Sequence, residues 1–175
     1  MADIVVDIDL GSMSRTRAKL KGLEVQIDQA IKEGLTAFAE RFEKKLRANM
    51  VAYGVPQSVV STLVAEEIDG GIELIVAGEL LDFFEYGTGI MGASSPHPDP
   101  ATSWEYDVNG HGESGWWYPT DDTDPNPYKW TDDSGQLRAW TRGKISRPFV
   151  YDTFEWGKRN LTRIVRNHVK RIKID

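Results

Sequence analysis

The chain has 175 residues, no cysteine and a formal net charge of −6 from 21 basic and 27 acidic side chains. Its length suffices for one domain with its own hydrophobic core, so we take 1–175 as a single domain. The absence of cysteine excludes disulfides, thiolate zinc sites and cysteine nucleophiles. An acidic chain is a poor general binder of duplex DNA. We find neither a signal sequence nor an apolar stretch of membrane-spanning length, and we expect a soluble protein.

The first third of the chain predicts a strand followed by a long helix. Apolar and polar residues alternate over 3–10, which indicates a half-buried strand. Apolar residues then recur every three or four positions, which predicts an amphipathic helix over 13–49 with Ser12 or Ser14 as its N-cap. Two glycines are expected to bend or break this helix: Gly22 and Gly34.

The middle of the chain predicts a β-hairpin and a short helix. Segments 58–68 and 72–77 are rich in β-branched residues, and they flank the tight-turn sequence Asp-Gly-Gly over 69–71. Apolar and acidic residues are interspersed over 79–86, which indicates a short helix that ends at the Gly-Thr-Gly sequence of 87–89.

Segment 92–143 differs in composition from the rest of the chain. It holds six of the eight prolines and five of the six tryptophans, and its acidic residues far outnumber its basic ones. A structureless linker would not contain so much tryptophan. We therefore expect an ordered, irregular insertion whose aromatic side chains pack on the domain or on a neighbouring copy, with short strands at 115–119 and 137–142.

The chain ends with a predicted helix that has a basic face. Asp152 and Glu155 resemble a capping box, and Tyr151 and Trp156 stand where a hydrophobic staple would place them. Together the elements predict an α+β fold in which a long N-terminal helix and a C-terminal helix pack on a small antiparallel sheet, with a long irregular Trp/Asp/Pro-rich insertion. The basic face consists of Arg159, Arg163, Arg166, Lys170 and Lys173.

The sequence Gly-Thr-Gly-Ile-Met-Gly over 87–92 formally matches the dinucleotide-binding fingerprint. That fingerprint needs a strand before it and a helix after it, so that the phosphate meets a helix N-terminus. Here the preceding segment predicts a helix, and the following Ala-Ser-Ser-Pro-His-Pro is a poor helix start. We expect the glycines to serve a tight backbone turn, and we expect no cofactor.

The acidic insertion partly follows an EF-hand pattern. Pro127 occupies the position where an EF-hand needs glycine, and the flanking segments do not predict helices, so we expect neither an EF-hand nor a resident metal. Calcium capture by this loop is an alternative to a solvated acidic surface. The residues at ligand positions are Asp122, Asp124, Asn126, Tyr128 and Asp133.

The residue types give little support to catalysis. The three histidines lack the spacing of a metal pair, and no serine stands in a nucleophile-elbow context, so we expect no enzyme. Carboxylates beside Trp116 and Trp117 would suit a site that binds or cleaves a glycan, but the same residue types are typical of protein interfaces.

Charge is segregated between the acidic insertion and the basic face of the last helix. The basic face could contact phosphates, or it could pair with the insertion of its own chain or of another copy. The segregation favours head-to-tail contact between copies, which closes a ring when the rotation allows it. The candidate interface residues are Trp116, Trp117, Tyr118, Asp121, Asp122, Trp130, Arg159, Arg163, Arg166 and Lys170.

Several short segments follow one another in an order typical of one family. They are Leu-Lys-Gly-Leu over 20–23, Leu-Leu-Asp-Phe-Phe-Glu-Tyr-Gly-Thr-Gly over 80–89, Gly-Trp-Trp-Tyr over 115–118, Trp-Thr-Arg-Gly over 140–143 and Ser-Arg-Pro-Phe-Val-Tyr-Asp-Thr over 146–153. In this order the chain resembles the tail-completion, or head–tail joining, proteins of long-tailed bacteriophages. Members often have Thr-Gly-x-Leu after the proline that follows the first helix; this chain keeps Pro56 and Leu63 but lacks the Thr-Gly.

The resemblance implies a non-enzymatic virion component in the neck between head and tail, usually a sixfold ring, made in the host cytoplasm. Its partners would be further copies and the head-closure and tail-terminator or tail-tube proteins, close to packaged DNA and away from membranes. A tail-terminator or head-closure role is the alternative. No catalytic residue is carried over. The residues expected to form a rigid turn and to anchor the last helix are Glu85, Tyr86, Gly87, Thr88, Gly89, Arg147, Pro148 and Phe149.

Overall fold

The computed structural model describes residues 10–68, 71–78 and 81–172, and it has the α+β fold expected from the sequence. The helices are α1 (Leu10–Ala52), α2 (Gln57–Val60), α3 (Leu81–Glu85), α4 (Gly89–Ser94) and α5 (Phe149–Val169), with a short 3-10 turn at Gly112–Ser114. The strands are β1 (Val64–Ile68), β2 (Gly71–Ile75), β3 (Trp116–Pro119), β4 (Lys129–Thr131) and β5 (Leu137–Thr141). No described helix is both long enough and apolar enough to span a membrane.

The strands form two separate antiparallel sheets. One is the β1–β2 hairpin, and the other has the order β3–β5–β4. The strands predicted at 115–119 and 137–142 are confirmed as β3 and β5, whereas β4 was not predicted. The prediction of a strand from residue 58 is wrong for its first part, because α2 occupies 57–60 behind Pro56, whose φ of −54° suits a helix start.

Three predictions about the start of the chain have different outcomes. The strand predicted over 3–10 lies outside the described residues, apart from Leu10, which is already in α1. The predicted caps Ser12 and Ser14 are wrong, because both residues lie inside the helix. The long helix itself is confirmed: α1 runs for 43 residues without a break, about 64 Å at 1.5 Å per residue.

Glycine brings α1 and α5 into close antiparallel contact. A Cβ atom on Gly34 would lie 2.9 Å from the Cα atom of Val165, and one on Gly157 would lie 2.7 Å from Cε2 of Phe42. The prediction that Gly34 breaks α1 is therefore wrong, since the residue serves close packing instead. Gly22 also lies within the unbroken helix, and nothing in the structure explains it.

The hydrophobic core lies where the C-terminal end of α1, the first sheet and the start of α5 meet. Phe149 is 1% exposed, which confirms its predicted place in the core. The packed side chains bring together segments from both halves of the chain, so the first turn of α5 is part of the core rather than of the surface. The buried members are Leu46, Met50, Val55, Val60, Leu63 and Phe149.

Candidate functional site

A buried carboxylate at the end of α3 caps the start of α5. Glu85 is 6% exposed, and its Oε2 accepts a hydrogen bond from the backbone N–H of Val150 at 2.9 Å while Oε1 accepts one from Tyr151 at 3.0 Å. The first N–H groups of a helix have no partner within the helix, and the helix dipole favours a negative charge there. Glu85 therefore supplies the cap of α5 from a distant part of the chain.

The capping box predicted for α5 is wrong. The helix begins at Phe149 with Pro148 at the N-cap position, which makes no side-chain cap bond. Asp152 lies inside the first turn, where its Oδ2 accepts a hydrogen bond from the Tyr53 hydroxyl at 2.6 Å. This bond raises the pKa of Tyr53 to about 12.

His97 from the insertion completes the surroundings of Glu85. Its Nδ1 accepts a hydrogen bond from the Asp99 N–H at 3.2 Å, so a neutral ring carries its proton on Nε2 and donates it to Glu85 Oε1 at 3.1 Å. The backbone N–H of His97 donates to the Tyr106 hydroxyl at 2.8 Å. The insertion is thus tied to the start of α5 through a buried polar pair.

The residues 87–89 form the tight turn that the sequence predicted. Thr88 and Lys144 form an isolated antiparallel bridge, with the Thr88 N–H donating to the Lys144 carbonyl at 2.9 Å. Gly87 has a φ of +82°, and a Cβ atom there would lie 2.7 Å from the Lys144 oxygen. The backbone therefore requires glycine at this position.

The dinucleotide fingerprint lacks the structural context that it needs. Helix α3, not a strand, precedes the glycines. The segment 93–98 does not begin a helix, as expected; α4 instead begins within the glycine sequence, at Gly89 behind the extended Thr88, whose φ is −146°. With only six residues, α4 is too short to present the helix N-terminus of a nucleotide site.

Aromatic side chains pack around the turn. The ring of Tyr86 stacks on Trp104 with 5.0 Å between centroids, and burial raises the pKa of Tyr86. The indole N–H of Trp104 donates to the Gly87 carbonyl at 2.9 Å. Trp104 and His97 are parts of this site that sequence reasoning missed; the tryptophan content of the insertion was the only signal.

The segment before α5 is attached to the same turn. The Arg147 N–H lies within hydrogen-bond distance of the carbonyl oxygens of Phe84 and Glu85, and the Ser146 hydroxyl donates to the Glu85 carbonyl at 2.7 Å. The Arg147 guanidinium lies 5.7 Å from the centroid of the Phe84 ring. The structure thus brings the two predicted groups, the turn at 85–89 and the anchor at 147–149, into direct contact.

A cleft of about 340 Å³ lies between the turn, the insertion and one face of the second sheet. The Lys144 ammonium lies in it, 4.7 Å from the centroid of the Phe84 ring, and burial together with the neighbouring Arg147 lowers the pKa of Lys144. The cleft therefore combines apolar walls with one cation. Its aromatic lining consists of Phe83, Phe84, Trp104, Tyr106, Trp116 and Tyr118.

The predicted tryptophan cluster is divided between the two faces of the β3–β5–β4 sheet. Trp116 and Tyr118 are half-buried and line the cleft. Trp117 and Trp130 are 45% and 50% exposed, and their rings meet edge to face at 6.1 Å. We call this exposed pair the tryptophan face.

Two loops that carry acidic residues leave the β3–β5–β4 sheet at the same end. The antiparallel register places Pro119, Thr131 and Leu137 at the same end of the sheet, so the loop after β3 and the β4–β5 turn both emerge there. We call their exposed acids the acidic end of the sheet: Asp121, Asp122 and Asp133.

The residues at EF-hand ligand positions do not converge on one point. Asp124 accepts hydrogen bonds from the hydroxyls of Tyr118 and Thr120, both at 2.7 Å, and the Thr120 bond is the main cause of its lowered pKa. Asp132 is held by Ser134 and Arg138, which lower its pKa strongly. Within 10–68, 71–78 and 81–172 no group of three or more metal-ligating side chains is found.

Four of the five basic residues predicted on the last helix are exposed along α5 and at its C-terminal end, and the fifth, Lys173, lies outside the described residues. Arg159 donates to the Glu155 carbonyl and Arg163 to the Asn160 side chain, but none of the four basic residues forms an ion pair with a carboxylate in the described part of the chain. They extend over about 16 Å at 1.5 Å per residue. We call them the basic stripe: Arg159, Arg163, Arg166 and Lys170.

Known proteins offer no match with which to compare this site. No family model matches the sequence, and no curated protein or solved structure matches the chain significantly.

Proposed function

We propose that the protein is a structural component of the neck of a long-tailed bacteriophage, a ring that completes the upper end of the tail and joins it to the head. The observation that supports this most is the convergence of the segments that carry the family resemblance. The turn over 87–89 pairs with Lys144, Trp116 packs against Gly89, and Glu85 caps the helix that starts at Phe149. Segments far apart in sequence therefore meet at one junction, as the resemblance to a single family implies that they would.

The separation of charge supports assembly into a ring. The basic stripe lies on the C-terminal half of α5, whereas the acidic end lies on the second sheet, which is attached near the start of α5 through the Thr88–Lys144 bridge. Two surfaces of opposite charge at different places on one protomer favour heterologous, head-to-tail contacts. Such contacts form a ring when the rotation from one copy to the next closes on itself.

The environments of the histidines support a structural role rather than an enzymatic one. His97 bonds to Glu85, which caps α5, and a ring nitrogen of His168 lies 3.1 Å from the Ile164 carbonyl oxygen within its own helix. His111 Nδ1 lies 3.5 Å from Asp107, a carboxylate that accepts the backbone N–H groups of residues 111 and 112. Each imidazole contacts groups that shape the fold.

Electron microscopy of particles assembled with this gene silenced tests the proposal. We expect full heads beside unattached tails, and we expect joined particles to return when the wild-type chain is supplied in trans. Intact, joined particles in the silenced sample would overturn the neck proposal.

The same micrographs distinguish the two related roles. A missing tail terminator leaves polymerisation of the tail tube unchecked, so tails would vary in length. A missing head-closure ring leaves the portal open, so heads would lose their DNA. Tails of normal length beside DNA-filled heads would support tail completion against both.

The aromatic cleft favours a second candidate function, a virion module that binds glycans. Trp104 and Trp116 line it together with the polar side chains of Asp107, Asn109 and Lys144, and apolar pockets with a few polar groups are typical of small-ligand sites. Saturation-transfer NMR with glycans of the host surface tests this candidate. Binding that Trp104→Ala abolishes while the exposed Trp117→Ala retains it would support the cleft; no binding by the wild-type protein would exclude it.

A further inference from the structure

We propose that the contact between copies in the ring joins the tryptophan face and the acidic end of one copy to the basic stripe of the next. This inference rests on the proposed ring, and it specifies which surfaces meet. Both surfaces are exposed in the protomer. One surface is aromatic and acidic, and the other is basic.

The two surfaces do not pair with each other within the described part of one chain. The second sheet is attached beside the first turn of α5, through the Thr88–Lys144 bridge and the packing of Trp116 on Gly89. The basic stripe begins ten residues after Phe149, about 15 Å further along the helix. No ion pair between the stripe and the acidic end occurs among the described residues. The partner of each surface is therefore another molecule.

The acidic end keeps uncompensated charge. Two bases lie nearby: the Lys129 ammonium donates to the carbonyl oxygens of Asp121 and Asp122, and Arg138 pairs with Asp132. The carboxylates of Asp122 and Asp133 have no hydrogen-bond or ion-pair partner in the part of the chain that the structure describes. Both side chains are exposed at the end of the sheet where β4, the strand that carries Trp130, also ends, and this position can receive cations.

The tryptophan face explains why three of the four cations in the stripe are arginines. A guanidinium stacks on an indole ring and forms two parallel hydrogen bonds with a carboxylate, whereas a lysine ammonium acts as a point charge. Trp117 and Trp130 present rings that are about half exposed, and Trp130 lies one residue before the end of β4 at which the β4–β5 turn emerges. Tryptophan and arginine together are the residue types most enriched at the energetic centres of protein interfaces.

A nucleic acid is the competing partner of the basic stripe, and the observations favour a second copy. Phosphate contacts would satisfy the stripe but would leave two half-exposed tryptophans and free carboxylates uncovered on a protein with a net charge of −6. A second copy covers both surfaces at once. Because the surfaces differ, the contact is heterologous and repeats around a ring.

Charge reversal with reciprocal rescue tests the inference. One variant carries Arg163→Glu and Arg166→Glu, and the other carries Asp122→Lys and Asp133→Lys. Native mass spectrometry and light scattering at low salt should show rings for the wild type and, because like charges now face each other, at least about 100-fold weaker association for either variant alone. The matched control is Arg41→Glu with Lys44→Glu, the same charge change on an exposed part of α1, and it should still form rings.

Mixing the two variants in equal amounts gives the decisive result. Alternating copies place every reversed surface against its reversed complement, so an even-membered ring should reappear in the mixture. Trp117→Ala should weaken association about tenfold or more without charge reversal. Rings that persist in either variant, a mixture that stays dissociated, or a wild-type chain that stays monomeric would each overturn the inference.

Two further outcomes distinguish this inference from nucleic-acid binding by the basic stripe and from the proposed neck function. If the Arg163→Glu, Arg166→Glu variant forms rings but no longer retards duplex DNA that the wild type retards, the stripe binds nucleic acid and the inference is wrong. If the reciprocal rescue succeeds but silencing the gene leaves phage particles joined, the contact stands while the neck function fails.

Discussion

The two ends of α5 differ in where their polar groups find partners. At the first turn, the N–H groups of Val150 and Tyr151 bond to buried Glu85, and the Thr153 hydroxyl accepts a bond from Asn49 at 2.8 Å. Along the last three turns, the cations of the basic stripe face solvent without a carboxylate partner among the described residues. The first end is completed by its own chain, and the second is available to another molecule.

This difference separates residues that hold the protomer together from residues that can change partners. Buried polar groups are costly when they lose a hydrogen bond, so changes at the first end should destabilise the fold. Exposed charges contribute little to the stability of a single chain, so changes at the second end should affect association alone. Four substitutions or pairs of substitutions test this division, from the most to the least destabilising.

Removing the cap of α5 should have the largest effect. Glu85→Ala leaves the N–H groups of Val150 and Tyr151 and the Nε2–H of His97 without their acceptor in a buried site. We expect a loss of about 3–5 kcal/mol in the free energy of unfolding, measured by urea denaturation. Glu105→Ala, at an exposed acid of the insertion, is the matched control and should change it by less than about 0.5 kcal/mol. Equal losses for both variants would contradict the capping role.

Crowding at the turn should give the next largest effect. Gly87→Ala adds a methyl group to a backbone with φ of +82°, 2.7 Å from both the Lys144 oxygen and the Ser146 nitrogen. Gly110→Ala is the matched control, because its φ is +65° but nothing lies within 4 Å of the added carbon. We expect about 1 kcal/mol of destabilisation for the control and at least about 2–3 kcal/mol for Gly87→Ala in the same urea experiment. If Gly87→Ala and Gly110→Ala lost the same stability, the turn would be able to relax around the added methyl group.

How far the sequence predicted this molecule depends on how local each signal is. The long helices followed from residues three and four positions apart, and strands β3 and β5 lie within the short segments predicted as strands at 115–119 and 137–142. The exposure of the basic stripe also followed from helical spacing alone. These features depend on near neighbours along the chain.

The failures at the candidate site and at the contact between α1 and α5 involve partners that are distant in sequence. The cap of α5 was predicted at Asp152. In the structure the N–H group of Val150 donates to Glu85, which lies 65 positions earlier in the chain. Gly34 was interpreted as a helix breaker because the close approach of Val165 cannot be seen in the sequence. The pairing of His97 with Glu85 depends on the path of an irregular insertion, which has no periodicity to follow.

The bond between Tyr53 and Asp152 should make the first end of α5 sensitive to alkali. It raises the pKa of Tyr53 from the ordinary value of 10.0 to about 12. Because the folded state holds this proton more tightly, the stabilisation is complete below pH 10 and is lost as the pH rises from 10 towards 12. The difference in unfolding free energy between the wild type and Tyr53→Phe should therefore shrink between pH 9 and pH 11.

The smallest effect on stability is expected at the second end, for the variant that should disrupt the ring most. Arg163→Glu with Arg166→Glu removes no buried contact, since both side chains are exposed and neither pairs with a carboxylate in the described ranges. We expect the free energy of unfolding of the isolated protomer, measured in about 1 M NaCl to screen contacts between copies, to change by no more than about 0.5 kcal/mol. If this variant lost as much stability as Glu85→Ala, the stripe would be holding the protomer together, and the division between the two ends of α5 would not hold. A stable monomer that no longer assembles would instead show that the same helix serves the fold at one end and its partners at the other.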